Sequence, residues 1–392
     1  MTITINNKNK KTNVPNSTDK GNVIRNVPHL RFPEFEGEWE KCKFKDVCSI
    51  STGNKNTQDK ADDGIYPFYV RSQTVERINS WTFDGEAILT AGDGVGVGKV
   101  FHHSYGKIGV HQRVYILSDF KCDANYLFHF FSSKFYNRVK RMSAKNSVDS
   151  VRKEMITDMP LSLPCQKEQV KIGHMLSLLD ERIATQNKII EDLKKLKSAI
   201  IEIEYTPNAK TTSHIGDIIE QISKRNKNNA IQNVLSVSNR QGFIKQSDQF
   251  ENRNVASEDT SNYKIVEKND FAFNPARINV GSISRLTTFE KGIVSPMYIC
   301  FRTQENVAPE YIDFFFESKH FYCEIQKRLE GSVRQCLSFE GLCNIPISLP
   351  SLEMQQRIGK RLLTLGQKIK TETDLLELLN KQKQYLLRQM FI

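Results

Sequence analysis

The clearest pattern along the chain is a run of apolar residues spaced alternately four and three apart. It begins after Pro164 and passes through Ile172, Leu176, Leu179, Ile183, Gln186, Ile190, Leu193, Lys197 and Ile200. This is the heptad seam of a coiled coil, and no proline interrupts it for more than thirty residues. After Pro350 the same spacing returns at Ile358, Leu362, Leu365, Ile369, Glu372, Leu376, Leu379, Lys383 and Leu386, with polar residues at the same two places. Two helices of about 35 residues are predicted, each roughly 50 Å long. A seam of that length has to be buried, and its duplicate is the obvious partner. The long spacing segment between the helices lets them pack antiparallel.

The duplication extends upstream. Residues 156–173 (ITDMPLSLPCQKEQVKIG) align without gaps on 342–359 (LCNIPISLPSLEMQQRIG). Pro160/Pro346, Ser162/Ser348, Leu163/Leu349, Pro164/Pro350, Gln169/Gln355, Ile172/Ile358 and Gly173/Gly359 are identical between the two. The aromatic stretch Tyr126–Arg141 matches Tyr311–Leu329, and both have helical spacing suited to packing on a sheet. Short β-prone runs at Ala87–Thr90, Lys99–His103, Val114–Leu117, Asp270–Phe273 and Tyr298–Arg302 are strand candidates. The predicted fold is therefore α+β: two mixed, strand-rich domains in tandem repeat, joined by two long antiparallel coiled-coil helices with pseudo-two-fold symmetry. The predicted parts are a disordered leader over 1–26, a first domain over 27–165, a helix over 166–205, a second domain over 206–350 and a helix over 351–392.

A chain of 392 residues has room for several domains. The charge balance of +11 favours a polyanionic partner, although surplus lysines that only confer solubility fit it equally well. Eight scattered cysteines without a C-x-x-C pair indicate neither a zinc site nor a disulfide framework, and buried free thiols are expected. The Asn/Lys-rich start lacks the apolar core of a signal peptide, and no run approaches a membrane span, so a cytoplasmic protein is expected.

Two motifs suggest catalysis and fail. Gly92–Lys99 (GDGVGVGK) has Asp93 where a phosphate loop needs its first glycine, and Val100 where it needs Ser or Thr. It reads as a tight loop whose backbone approaches something closely, with DNA phosphate favoured modestly over an ordinary hairpin. Asn274-Pro-Ala-Arg277 lacks the second proline and the aromatic of an adenine-methyltransferase motif. No nuclease, helicase or nucleophile constellation accompanies them. No catalytic or metal-ligating residue is predicted.

Two strand-rich heads, each followed by P-x-S-L-P and a long heptad helix, resemble the specificity subunits of type I restriction-modification systems. The entry segment VPHLRFPEFEGEWEKCKFKDV (27–47) and the stretches Asn274–Ser282 and Gly292–Tyr298 strengthen the resemblance, which covers 27–392. It implies two target-recognition domains, each reading one half of an asymmetric, bipartite double-stranded DNA target. The helices would space the halves and dock two methyltransferase subunits and the restriction subunits. It implies a non-catalytic chain without a cofactor of its own, with S-adenosylmethionine, ATP and Mg in the partners, and no membrane.

The first head departs from the second, with Ala91-Gly-Asp-Gly in place of the Asn-Pro segment and Val110-His-Gln-Arg in place of Ile-Val-Ser-Pro. The candidate DNA-binding residues are Arg71, Lys99, Gln112 and Arg113 in the first head, and Arg225, Arg240, Arg277 and Asn279 in the second. Arg and Gln can make bidentate contacts with base edges, whereas a solvated surface charge is the alternative for each. The competing readings are a coiled-coil protein-interaction scaffold without DNA readout and, less favoured, a nucleotide-dependent enzyme. A seam centred on its polar pair would set Gln186 opposite Glu372. Cysteines introduced at 186 and 372 are then expected to cross-link under mild oxidation; a pair that stays reduced would refute this register.

Overall fold

The structure, a computed structural model, describes residues 4–5, 26–143, 150–206, 213–239, 241–249, 259–331 and 335–392. The chain forms two compact units, one from residues 1–186 with 375–392 and the other from residues 187–374. Each long helix, Gln166–Tyr205 and Leu352–Gln389, is therefore divided between the two.

Each unit contains a head built to one plan. In the first head, an antiparallel sheet has the order Ser49–Thr52, Val114–Ser118, Ala87–Ala91, Phe101–Ser104. A second sheet has the order Glu76–Ile78, Tyr66–Tyr69, Lys107–Val110, Phe83–Asp84, and its central pair is parallel. The second head repeats both orders. Ile219–Ile222, Ile299–Thr303, Phe271–Phe273 and Ile283–Arg285 form one sheet, and Gly242–Lys245, Val234–Ser238, Lys291–Val294 and Lys264–Glu267 the other. Again the central pair is parallel. The sequence-based strand Lys99–His103 begins later than expected, so Lys99 lies outside the observed Phe101–Ser104.

The phenylalanine-rich segments are core, as their helical spacing predicts. Ala124–Met142 buries Tyr126, Phe130, Phe131 and Phe135. Tyr311–Leu329 is not one helix, however, but two, Pro309–Phe315 and Lys319–Gln326. Ser318 causes the break, because its hydroxyl donates to the Phe315 carbonyl and accepts from the Phe321 N–H, capping the second helix. The cysteines are free, but Cys165 and Cys323 are exposed rather than buried. Most of the leader lies outside the described residues. Thr4–Ile5 pairs with Leu30–Arg31, and Asn26, placed at the end of the leader, is buried and bonded to Trp39.

The repeated residues around the prolines form a joint between head and helix. In the first unit, buried Gln169 accepts from the Asp123 N–H (2.9 Å) and donates to the Pro164 carbonyl (2.8 Å). Gln355 does the same for the Ala308 N–H (2.9 Å) and the Pro350 carbonyl (2.8 Å). Tyr126 donates to the Ser162 carbonyl and Tyr311 to that of Ser348. A Cβ on Gly173 would stand 2.7 Å from the Tyr126 amide nitrogen, and one on Gly359 2.8 Å from the Glu310 Cβ, so both positions require glycine for close approach.

The end of the other long helix completes each joint. Phe391 packs edge-on against Tyr126 and Phe130 in the first unit, and Tyr205 packs against Tyr311 and Phe315 in the second. Within the first unit Lys383 pairs with Asp180; within the second Arg361 reaches Glu204 at 3.5 Å. In both units the two helix segments therefore run antiparallel. Every one of the eighteen seam positions is buried or partly buried, while most positions between them are exposed.

One buried group differs between the units. His129 occupies the position of Phe314 in the repeat and is 1% exposed. Its Nε2 faces the Ser177 hydroxyl at 3.2 Å, and Nδ1 has no hydrogen-bond partner among the described residues. Burial, reinforced by Lys383, pushes its pKa down to about 3. The folded state thus favours the neutral ring, so its contribution is complete above pH 6.5 and is lost as pH falls towards 3. Between pH 7.5 and 5.5 the wild type is expected to lose about 1 kcal/mol more stability than His129→Phe, as read by urea denaturation of both proteins. Equal losses would show that His129 does not titrate differently on folding. Gln169→Ala and Gln355→Ala should each cost about 2–3 kcal/mol by the same measurement, because each leaves a buried amide and a carbonyl unpaired.

Candidate nucleic-acid interface

Three loops meet along one edge of each head. They are the segment following the outer-sheet strand Tyr66–Tyr69 or Val234–Ser238, the loop between Ala87–Ala91 and Phe101–Ser104 or their counterparts, and the turn joining the two sheets. In the first head that turn is His111–Val114, closed by the Val114 N–H on the His111 carbonyl; its counterpart is Ser295–Tyr298.

In the first head these loops bring two of the four sequence candidates, Arg71 and Arg113, onto Asp93, with Gln112 next to Arg113 in the turn. Arg71 pairs with one Asp93 oxygen at 3.0 Å and Arg113 approaches the other at 3.7 Å. Both guanidiniums are otherwise open to solvent, and exposed pairs of this kind hold geometry more than they add stability. Gln112 donates to the Asn56 side-chain oxygen at 2.6 Å, and its backbone N–H to the Lys55 carbonyl. Buried His111 sits beneath the turn. The Arg113 N–H donates to its Nδ1, which puts the proton of the neutral ring on Nε2, facing Thr57. Burial and the two arginines lower its pKa, so it remains a neutral prop.

Lys99 does not join this group. Its ammonium lies over the Tyr136 ring, 5.5 Å from the centroid, beside the head helix. Two glycines of Gly92–Lys99 sit directly on the protein's own backbone, while Gly94 faces open space. A Cβ on Gly92 would meet the Arg113 carbonyl at 2.8 Å, and one on Gly96 the Arg71 carbonyl at 2.4 Å. The close backbone approach expected from the sequence is thus real, but its partner is internal.

In the second head Arg277 caps a single helical turn, Ile278–Val280, that carries Asn279 at its centre. Asn274 fixes the approach: its carboxamide oxygen accepts from the Ala276 N–H, and its carbonyl from the Arg277 N–H. Arg277 is exposed. A Cβ on Gly281 would stand 3.8 Å from that of Asn239; Arg240 lies outside the described residues. Arg225 stands apart, held by Asn262 at 3.0 Å. With Lys224, Lys227 and Lys291 it lines a cleft of about 860 Å³ that has no acidic side chain in its lining.

Sequence reasoning missed Lys55, Asn56, Asp93 and His111 in the first head and Lys224, Lys227 and Lys291 in the second. A signal existed for Lys55 and Asn56. Each lies as far past Ser49–Thr52 as Arg225 and Asn226 lie past Ile219–Ile222. Nothing local marks Asp93 as the tether of arginines 22 and 20 residues away in sequence. Among the described residues no cluster of three or more His, Cys, Asp or Glu could hold a metal, and no helix is long and apolar enough to cross a membrane.

These features define a duplicated head-and-helix protein with a polar, cation-bearing edge on each head. The model of the type I restriction modification DNA specificity domain matches it twice, over residues 36–195 and 207–381, and the chain belongs to that family. It is 25% identical to the type I restriction enzyme MjaVIII specificity subunit of Methanocaldococcus jannaschii, over 91% of this chain and 90% of that one. It is 26% identical to the EcoDI specificity subunit of Escherichia coli over 42% of this chain, a match that spans only 37% of the relative. The S subunit of a type I system from M. genitalium has the same fold, with a TM-score of 0.65 at 15% identity, covering 93% of this chain and 99% of that one.

Proposed function

We propose that the two heads read the two halves of an asymmetric, bipartite DNA target, and that the chain itself catalyses nothing. The observation that carries this is the contrast between the heads. They share one strand order, yet the edge of one presents Arg71 and Arg113 tied to Asp93 with Gln112 beside them, and the edge of the other presents Arg277 and Asn279. Arg and Gln provide the paired donors and acceptors that base edges in the major groove require. The lysines and Arg225 of the basic cleft, with Lys55 and Lys99 of the first head, act on the phosphates and supply affinity without sequence preference.

The long helices fix the separation of the half-sites, so that binding of one raises the effective concentration of the other. They also dock two methyltransferase subunits and the restriction subunits, which hold S-adenosylmethionine, ATP and Mg in a cytoplasmic complex. Ile189, Leu196 and Ile203 support the docking role, as they form an exposed apolar stripe at heptad spacing away from the seam.

The test is made on the complex with its methyltransferase partner. Mapping methylated adenines gives the target, and binding is then measured against salt. Arg113→Ala is expected to relax one half-site and Arg277→Ala the other, each by about 1–3 kcal/mol of discrimination. The double variant Lys227→Ala/Lys291→Ala should weaken all sequences alike and reduce the salt slope by about 2. If no substitution alters either target preference or salt slope, the heads do not read DNA and the scaffold reading replaces this one.

A further inference from the structure

Apolar side chains scattered singly over a surface are ordinary. Val95 is not placed at random. It is 96% exposed, more than any other large apolar residue described, and it stands at the tip of Gly94–Gly96, two residues from the aspartate that tethers Arg71 and Arg113. The tip is held in place. The Val97 N–H donates to the Gly94 carbonyl and the Val100 N–H to that of Gly96, while Gly92 and Gly96 rest on the Arg113 and Arg71 backbones. The turn thus carries a bare isopropyl group into solvent, where folding gains nothing from it.

The second head repeats the arrangement with a different sequence. Its turn Ile278–Val280 lies between Phe271–Phe273 and Ile283–Arg285, as Gly94–Gly96 lies between Ala87–Ala91 and Phe101–Ser104, and Val280 is 57% exposed beside Arg277 and Asn279. The two loops share little sequence, yet each turn carries an exposed valine, Val95 in the middle of one and Val280, three residues past Arg277, at the end of the other. Packing cannot explain that recurrence, since neither side chain is buried.

Resting on the DNA-reading role proposed above, we infer that Val95 and Val280 are specificity-determining residues, each making an apolar contact with the 5-methyl group of a thymine in its half-site. Thymine is the only base that presents a methyl group in the major groove, and apolar side chains are its natural partners there. The flanking guanidiniums engage neighbouring polar edges and leave the valine to sense a feature that no hydrogen bond can.

The test is a cycle on the assembled methyltransferase complex and its mapped target. Each thymine is replaced in turn by deoxyuridine, which lacks only the methyl, and affinity is measured for the wild type, Val95→Ala and Val280→Ala. For one thymine in each half-site the wild type is expected to lose about fourfold in affinity, the worth of one buried methyl. The corresponding alanine variant should be indifferent to that same replacement, while keeping the wild-type response in the other half-site. If every replacement affects wild type and variants alike, or a half-site contains no thymine, the inference is overturned. A wild-type complex that shows no bipartite preference at all would instead overturn the DNA-reading role, and this inference with it.

Discussion

A single buried glutamine amide governs each half of the molecule. Where a proline-ended strand gives way to a long helix, the chain must turn without leaving backbone groups stranded. Gln169 and Gln355 solve this in the same way, taking the proline carbonyl with the amide nitrogen and the first turn of the head helix with the oxygen. The head helix, the hinge strand and the long helix are thereby fixed at one point. Because the bonds are buried, losing one partner exposes the other to the full cost of desolvation. The close approach of Gly173 and Gly359, and the tyrosine hydroxyls on the Ser162 and Ser348 carbonyls, all depend on this junction.

The junction also accounts for the two aromatic residues that close it. Phe391 and Tyr205 occupy equivalent positions at the ends of the two long helices, and each packs on the head that begins the other helix. Within a unit, a head is therefore held by the start of one helix and the end of the other. The heptad seam fixes how these two segments align, and the ion pairs Lys383–Asp180 and Arg361–Glu204 lie beside it. Seam burial supplies most of the attraction, while partly exposed ion pairs of this kind add little beyond orientation.

How much of this was legible in the sequence depended on the distance over which each interaction acts. The long helices were plain, because a period of 3.5 repeated over four heptads has no other economical explanation, and the repeat itself marked the joint. Of the identities between 156–173 and 342–359, Gln169/Gln355 and Gly173/Gly359 are explained by contacts that no other residue would make in the same way. The break at Ser318 was hidden, since the aromatic spacing runs straight through it and only the hydroxyl's capping bonds reveal it. The sheet order was equally hidden, with its parallel pairing of Tyr66–Tyr69 to Lys107–Val110 across some forty residues. At the edge, arginines were found by their chemistry, whereas Asp93 and His111 act through partners far away in sequence and carry no local mark.

Physical constraint falls unevenly across the duplicated halves. At the joint, every retained residue has a geometric duty that few others could meet: an amide spanning two backbone groups, a glycine against a backbone amide, a phenol on a carbonyl. At the edge, the loops need only be held at their bases, and different devices do this in the two heads. The first uses an aspartate shared between arginines and glycines seated on carbonyls; the second uses an Asn-Pro turn closed through Asn274. Once the base is secured, the outward side chains answer to nothing inside the fold. That freedom let the two edges diverge while the strand order beneath them stayed the same, and it gives a duplicated scaffold two different surfaces.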